Sequence, residues 1–182
     1  ANTARLEERK VAALEKFDVI RKAYDKLLKS VASEGYKSPA YDKAQKTISK
    51  EFMSIRFTAK MVERLADTLR GQVEDVRRIE RKIRSIAVDK VGLSQDWFIA
   101  EFPGNETNLD LFAKKIPGAG ASSALLQRNL PALQEEQQKL IALQQRVILP
   151  LGDLREIHRQ MTAGERKARA AKKEMTEANL RL

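Results

Sequence analysis

Apolar residues recur at three- and four-residue intervals along almost the whole chain, the pattern of amphipathic helices with one buried face each. Leu6, Ala13, Phe17, Ile20, Tyr24, Leu27 and Val31 fall on one stripe of a helix predicted over residues 3–33. Glu34-Gly35 ends it, because glycine accepts the left-handed backbone of a C-terminal cap. Ser38-Pro39 opens the next helix with a capping hydroxyl and a proline at the first helical position. So short a connection predicts an antiparallel helical hairpin. The second helix carries Tyr41, Ala44, Ile48, Phe52 and Ile55 and breaks at Arg56-Phe57-Thr58. Thr58 is expected to cap a third helix reaching Gly92, with Phe57 and Val62 forming a hydrophobic staple and Leu65, Val73, Val76, Ile79 and Ile83 on its inner face.

Downstream the pattern predicts short helices over 94–102 and 107–115, a break at Pro117-Gly118-Ala119-Gly120, and a helix over 131–147 that Pro150 ends. Leu151, Leu154, Ile157 and Met161 make one more short amphipathic set. Thr162 with Glu165 reads as a capping box that starts a separate last helix. That helix reaches Leu182 in apolar register with Ala171, Met175 and Ala178 and without a cap, which predicts a fragment whose next residues continue it. No strand is required, so the expected fold is all-α, an elongated bundle of long helices.

Composition narrows the chemistry. The 182 residues include 8 Gly and 5 Pro with 5% aromatics, too few for a sandwich or barrel. With no Cys and one His, neither a disulfide framework nor a zinc cluster can be assembled, and no metal or cofactor is expected. That histidine, His158, sits among Arg155, Glu156 and Arg159 with no nucleophile beside it. Gly118-Ala119-Gly120-Ala121-Ser122 lacks the preceding strand and the Gly-Lys-Ser/Thr ending of a phosphate loop and reads as a hinge. No apolar run is long enough for a membrane span. The expectation is a cytoplasmic non-enzyme without a small-molecule substrate or membrane contact.

Charge adds an alternative. Lys and Arg number 35 against 25 Asp and Glu, a formal +10. Arg77, Arg78, Arg81, Lys82 and Arg84 crowd one helix, and Arg166, Lys167, Arg169, Lys172 and Lys173 crowd another. Such runs either neutralise nucleic-acid phosphates or form solvated helix faces. A stand-alone basic bundle that binds nucleic acid through Arg77 to Arg84 is therefore the rival reading. A homodimeric coiled coil along the first helix is a weaker one.

The C-terminal phrase Gly164-Glu165-Arg166-Lys167-Ala168-Arg169-Ala170-Ala171-Lys172-Lys173-Glu174-Met175-Thr176-Glu177-Ala178-Asn179-Leu180-Arg181-Leu182 resembles the start of conserved region 2 of bacterial primary sigma factors, the sigma-70 family. Glu80-Arg81 and Phe102-Pro103-Gly104-Asn105-Glu106-Thr107 resemble the variable, non-essential region that precedes it. The resemblance implies a helical insert over 1–151 and the start of region 2 over 152–182. It implies a non-catalytic subunit that binds core RNA polymerase and directs it to promoters. The insert is expected beside the clamp of the β′ subunit, with an influence on promoter escape. Carried over by residue, Leu180 faces the core polymerase, and Asn179 and Leu182 line a pocket for a flipped promoter base. The chain departs from the family in lacking the acidic tract common in the insert, the aromatic-rich melting helix and the helix-turn-helix.

Overall fold

The computed structural model describes the backbone of residues 2–181 and the side chains of residues 3–181. Among the described residues there are seven α-helices and no strand: α1 (Asn2–Glu34), α2 (Pro39–Met53), α3 (Ala59–Arg84), α4 (Gln95–Glu101), α5 (Asp110–Lys115), α6 (Ser123–Val147) and α7 (Leu151–Leu180). The all-α expectation holds. The chain divides into two compact units, Ala1–Glu63 and Arg64–Leu182.

The first unit is the predicted hairpin of α1 and α2. Gly35 takes φ 83° after α1, and Ser38 Oγ accepts the amide of Tyr41 at the start of α2. Lys37 also adopts a left-handed backbone, φ 62°, so the turn needs two such residues rather than one. At the far end Lys16 Nζ donates to the Ser54 carbonyl at 3.1 Å. The buried seam of α1 is rotated from the predicted stripe. Ala23, Leu27 and Ser30 are buried against Tyr41 and Ala44, whereas Phe17 and Tyr24 are 48% and 43% exposed. Small side chains on the seam let the two axes approach closely, while Phe17 and Tyr24 there would hold them apart. Thr58 caps α3 as expected, accepting the Met61 amide at 3.2 Å. Phe57, the expected staple residue, stacks on Phe52 at 5.7 Å, and Val62 is 53% exposed. Leu65, expected on the inner face of α3, is 51% exposed.

The second unit holds the main core. Val73, Val76, Ile79 and Ile83 of α3 are buried, as is the stripe of Leu126, Leu133 and Leu140 on α6. α3 does not run to Gly92 as a uniform helix. It widens into a π turn over Ser85–Lys90 that keeps Ile83, Ala87 and Val91 at four-residue spacing on the buried side. Gly92, φ 83°, closes it, with the Leu93 amide donating to the Ala87 carbonyl. Ser94 caps α4, whose Phe98 stacks on Phe102 at 4.6 Å. Trp97 meets Phe112 edge-on at 6.0 Å, and Lys115 lies over the Trp97 ring.

Three boundaries differ from the sequence reading. α5 starts at Asp110 because residues 105–109 form a hydrogen-bonded turn. α6 starts at Ser123, so Pro131 lies inside it. The missing proline amide costs about 3 kcal/mol, and complete burial of Leu126 in the added turns offsets it. Thr162 starts no helix, since α7 runs unbroken through it with the Thr162 hydroxyl donating to the His158 carbonyl. Glu165, the other half of the supposed capping box, pairs with Arg70 of α3.

Phe112 is 0% exposed and touches both Trp97 and Phe102. Phe112→Ala is expected to destabilise the second unit by about 3–5 kcal/mol, read as a lowered urea midpoint by tryptophan fluorescence at Trp97. An unchanged midpoint contradicts the packing.

Candidate functional site

Residues distant in sequence converge where α3, α7 and the 105–109 turn meet. The turn is held from α6. Fully buried Gln137 donates from Nε2 to the Asn108 and Glu106 carbonyls at 2.9 and 3.3 Å, and Gln134 donates to the Leu109 carbonyl at 3.1 Å. This presents Glu106, 7% exposed, to α7. There Arg155 Nη1 donates to Glu106 at 2.9 Å, while Nη2 bonds Glu80 of α3. Burial raises the Glu80 carboxyl above its ordinary range, against the attraction of Arg155. Over this node lies a cleft of about 300 Å³ whose walls include Arg77, Arg81, Arg84, Phe98 and Pro103.

The basic cluster on α3 is mostly answered from within. Arg78 pairs with Asp75 at 2.9 Å and Arg81 with Glu74 at 2.6 Å, the bond from Arg81 holding the Glu74 carboxyl low. Lys82 reaches the buried Glu136 of α6 at 2.5 Å, where Lys139 also donates at 2.8 Å. Burial works against ionisation of Glu136, but the two lysines outweigh it and its carboxyl sits below the usual range. Arg84 contacts Gln95 at 3.5 Å. Arg77 alone of the five makes no hydrogen bond or ion pair among the described residues. Of the cluster, Lys82 and Arg84 reach other helices, while Arg78 and Arg81 are paired within α3.

Asn179 and Leu180 both lie on the last turn of α7, exposed, Leu180 at 82%, and packed against no other element. Leu182 lies outside the described residues. The second basic run, from Arg166 to Lys173, is exposed along the same helix. His158 is half-buried beside Arg77, Arg155, Arg159 and Arg166 around a shallow depression. Among the described residues no group of three or more His, Asp or Glu is placed to hold a metal ion. Among the described residues no helix is long and apolar enough to cross a membrane. Glu106, Glu136, Gln137 and Arg155 escaped the sequence reading as interacting residues. Their one signal is a charged or amide residue on an apolar stripe, as Glu136-Gln137 sits between Leu133 and Leu140.

The comparisons with known proteins decide the family. Residues 1–144 match the model of the sigma-70 non-essential region. The chain belongs to that family. It is also similar to the RNA polymerase sigma factor RpoD of Neisseria gonorrhoeae, 32% identical over 181 residues, a match covering 100% of this chain and 28% of that protein. The chain therefore spans little more than a quarter of the relative's length. The sigma-70 match and the relative agree with the resemblance read from the C-terminal phrase.

Two outcomes test the ion pairs. Arg155→Met leaves buried Glu106 and half-buried Glu80 without their cation and is expected to cost about 2–3 kcal/mol, measured by urea unfolding. Because the folded Glu136 carboxyl lies below its unfolded value, its contribution is complete above the unfolded value and drains as pH falls through the folded one. Glu136→Gln is thus expected to lower the Tm near neutral pH and to make the acid-side decline shallower. Thermal melts from about pH 7 to about pH 3 read this, and identical declines in both proteins overturn the assignment.

Proposed function

We propose that this chain is a non-catalytic helical docking region of a primary sigma factor, which joins core RNA polymerase and directs it to promoters. The observation that carries the reading is the family match over residues 1–144, joined by the alignment of the sigma factor RpoD across this whole chain. In this reading residues 1–151 are the insert, lying beside the β′ clamp with an influence on promoter escape, and residues 152–182 begin region 2. Leu180 meets the core enzyme, and Asn179 and Leu182 face a flipped promoter base. An amide can hydrogen-bond a base edge, and a leucine supplies an apolar wall to an unstacked ring. The internal pairing of Arg78, Arg81 and Lys82 speaks against the α3 cluster as a phosphate clamp.

The test is capture of this chain on immobilised β′ clamp helices. The wild-type chain is expected to be retained, and Leu180→Asp to weaken retention by about tenfold, or ~1.4 kcal/mol. Failure of the wild-type chain to bind, with native helicity by circular dichroism, refutes the docking reading.

A further inference from the structure

The first unit carries a charged surface of a different kind from the α3 cluster. Between α1 and α2 runs a groove of about 520 Å³ with buried Ala23, Ser30 and Ala44 at its base and exposed walls bearing Val19, Ala40, Lys22, Lys26, Lys29 and Lys43. No acidic residue lines it. It continues, through the shared Lys43 and Thr47, into a second depression bordered by Lys46, Lys50 and Asp42. Lys22 pairs with Asp18 at 2.7 Å along α1. Lys26, Lys29, Lys43, Lys46 and Lys50 are exposed and have no carboxylate partner among the described residues.

The lining says what fits. The hydroxyls of Ser30 and Thr47 are turned inward, donating to the Lys26 and Lys43 carbonyls at 2.8 and 3.0 Å. The ammonium groups of Lys26, Lys29 and Lys43 are thus the groove's free donors. The small floor provides no deep apolar pocket of the sort that anchors a peptide side chain at an interface hot spot. Along α1 the lysines follow one another at about 6 and about 4.5 Å of helix rise, a regular ladder answered by Lys43, Lys46 and Lys50 on α2. Lysine is a point-charge phosphate binder that asks for no fixed geometry. A duplex strand presents one charge per about 3.4 Å of its axis, so each lysine step finds a phosphate within reach.

We propose that the lysine-lined groove between α1 and α2 seats the phosphate backbone of a nucleic acid without reading its sequence. The site lies in the first unit, on residues other than the α3 cluster and other than Asn179, Leu180 and Leu182.

Fluorescence anisotropy of the whole chain with a short labelled DNA duplex of arbitrary sequence, across a potassium chloride series, tests it. Binding is expected to weaken steeply with salt. The Lys26→Gln, Lys29→Gln, Lys43→Gln triple variant is expected to reduce the slope of log K against log salt by roughly 2–3. Lys26→Arg, Lys29→Arg and Lys43→Arg together keep the charge and are expected to retain binding, which separates charge loss from misfolding. Replacing Arg77, Arg78 and Arg81 with Gln is expected to leave the slope near that of the wild type. The proposal is overturned by absence of binding at low salt, by an unchanged slope in the Lys-to-Gln variant, or by loss of binding in the arginine variant. Equal competition by polyglutamate, or equal binding to anionic vesicles, also overturns it in favour of an acidic protein or a membrane surface.

Discussion

The second unit depends on one ion-paired node that ties two carboxylates from different elements to α7. Glu80 and Glu106 come from a long helix and from a turn, their side chains 23% and 9% exposed, and burial raises the Glu80 carboxyl against the pull of Arg155. One planar guanidinium answers both, because Arg155 presents its two terminal nitrogens in a fixed fork. Its position fixes the rest: α7 must lie where the fork meets both oxygens, and the turn must hold Glu106 in reach. Gln137 supplies that hold from α6 with two bonds to backbone carbonyls, leaving its own Oε1 without a donor among the described residues. An apolar replacement of such a node is often no less stable. What the node adds is register, since sliding α7 by one turn would leave three charges unpaired.

How far the sequence revealed this follows from how local each determinant is. Ser38-Pro39, Thr58 and Gly35 act within a few residues of themselves, and their caps and turn were legible. The rotation of the α1 seam was not, because apolar periodicity locates large residues while the close approach of α1 and α2 is set by small ones, Ala23, Ser30 and Ala44. Pro131 and Thr162 misled for the same reason: a breaker and a capping signal are local preferences, and burial of Leu126 and the ion pair from Glu165 to Arg70 are tertiary. The Arg155 node joins residues 49 and 75 positions apart. No spacing rule reaches that far. The family signal, by contrast, lay in one contiguous phrase, which is why it was readable while the residues of the node were not.

The positive charge is one number in the composition and two different things in the fold. In the second unit Arg78, Arg81 and Lys82 meet carboxylates within α3 or across to α6, so the field of those three is largely cancelled at short range. In the hairpin the lysines stand at three- and four-residue spacing on both helices while the acidic side chains fall outside the groove they frame, except for Asp42 at its end. Like charges placed this closely destabilise a helix by a few tenths of a kcal/mol per pair. A polyanion or salt relieves that repulsion.

The exposed end of α7 poses the opposite question of how a helix persists without packing. From Arg166 to Arg181 every residue is exposed, and an isolated helix of this length is marginal in water. Its first turns are anchored by Leu151 and Leu154 in the core, so the costly nucleus is already formed and each further residue has only to propagate it. Ala168, Ala170, Ala171, Lys172, Lys173 and Glu174 are strong helix formers, and Lys173 lies 3.7 Å from Glu177 one turn on. A segment held by propensity and one anchored end can accept a partner on any face without giving up a contact it already makes. Ordering entropy, the main cost of docking a flexible peptide, is for this segment met by the core of the second unit before any partner arrives.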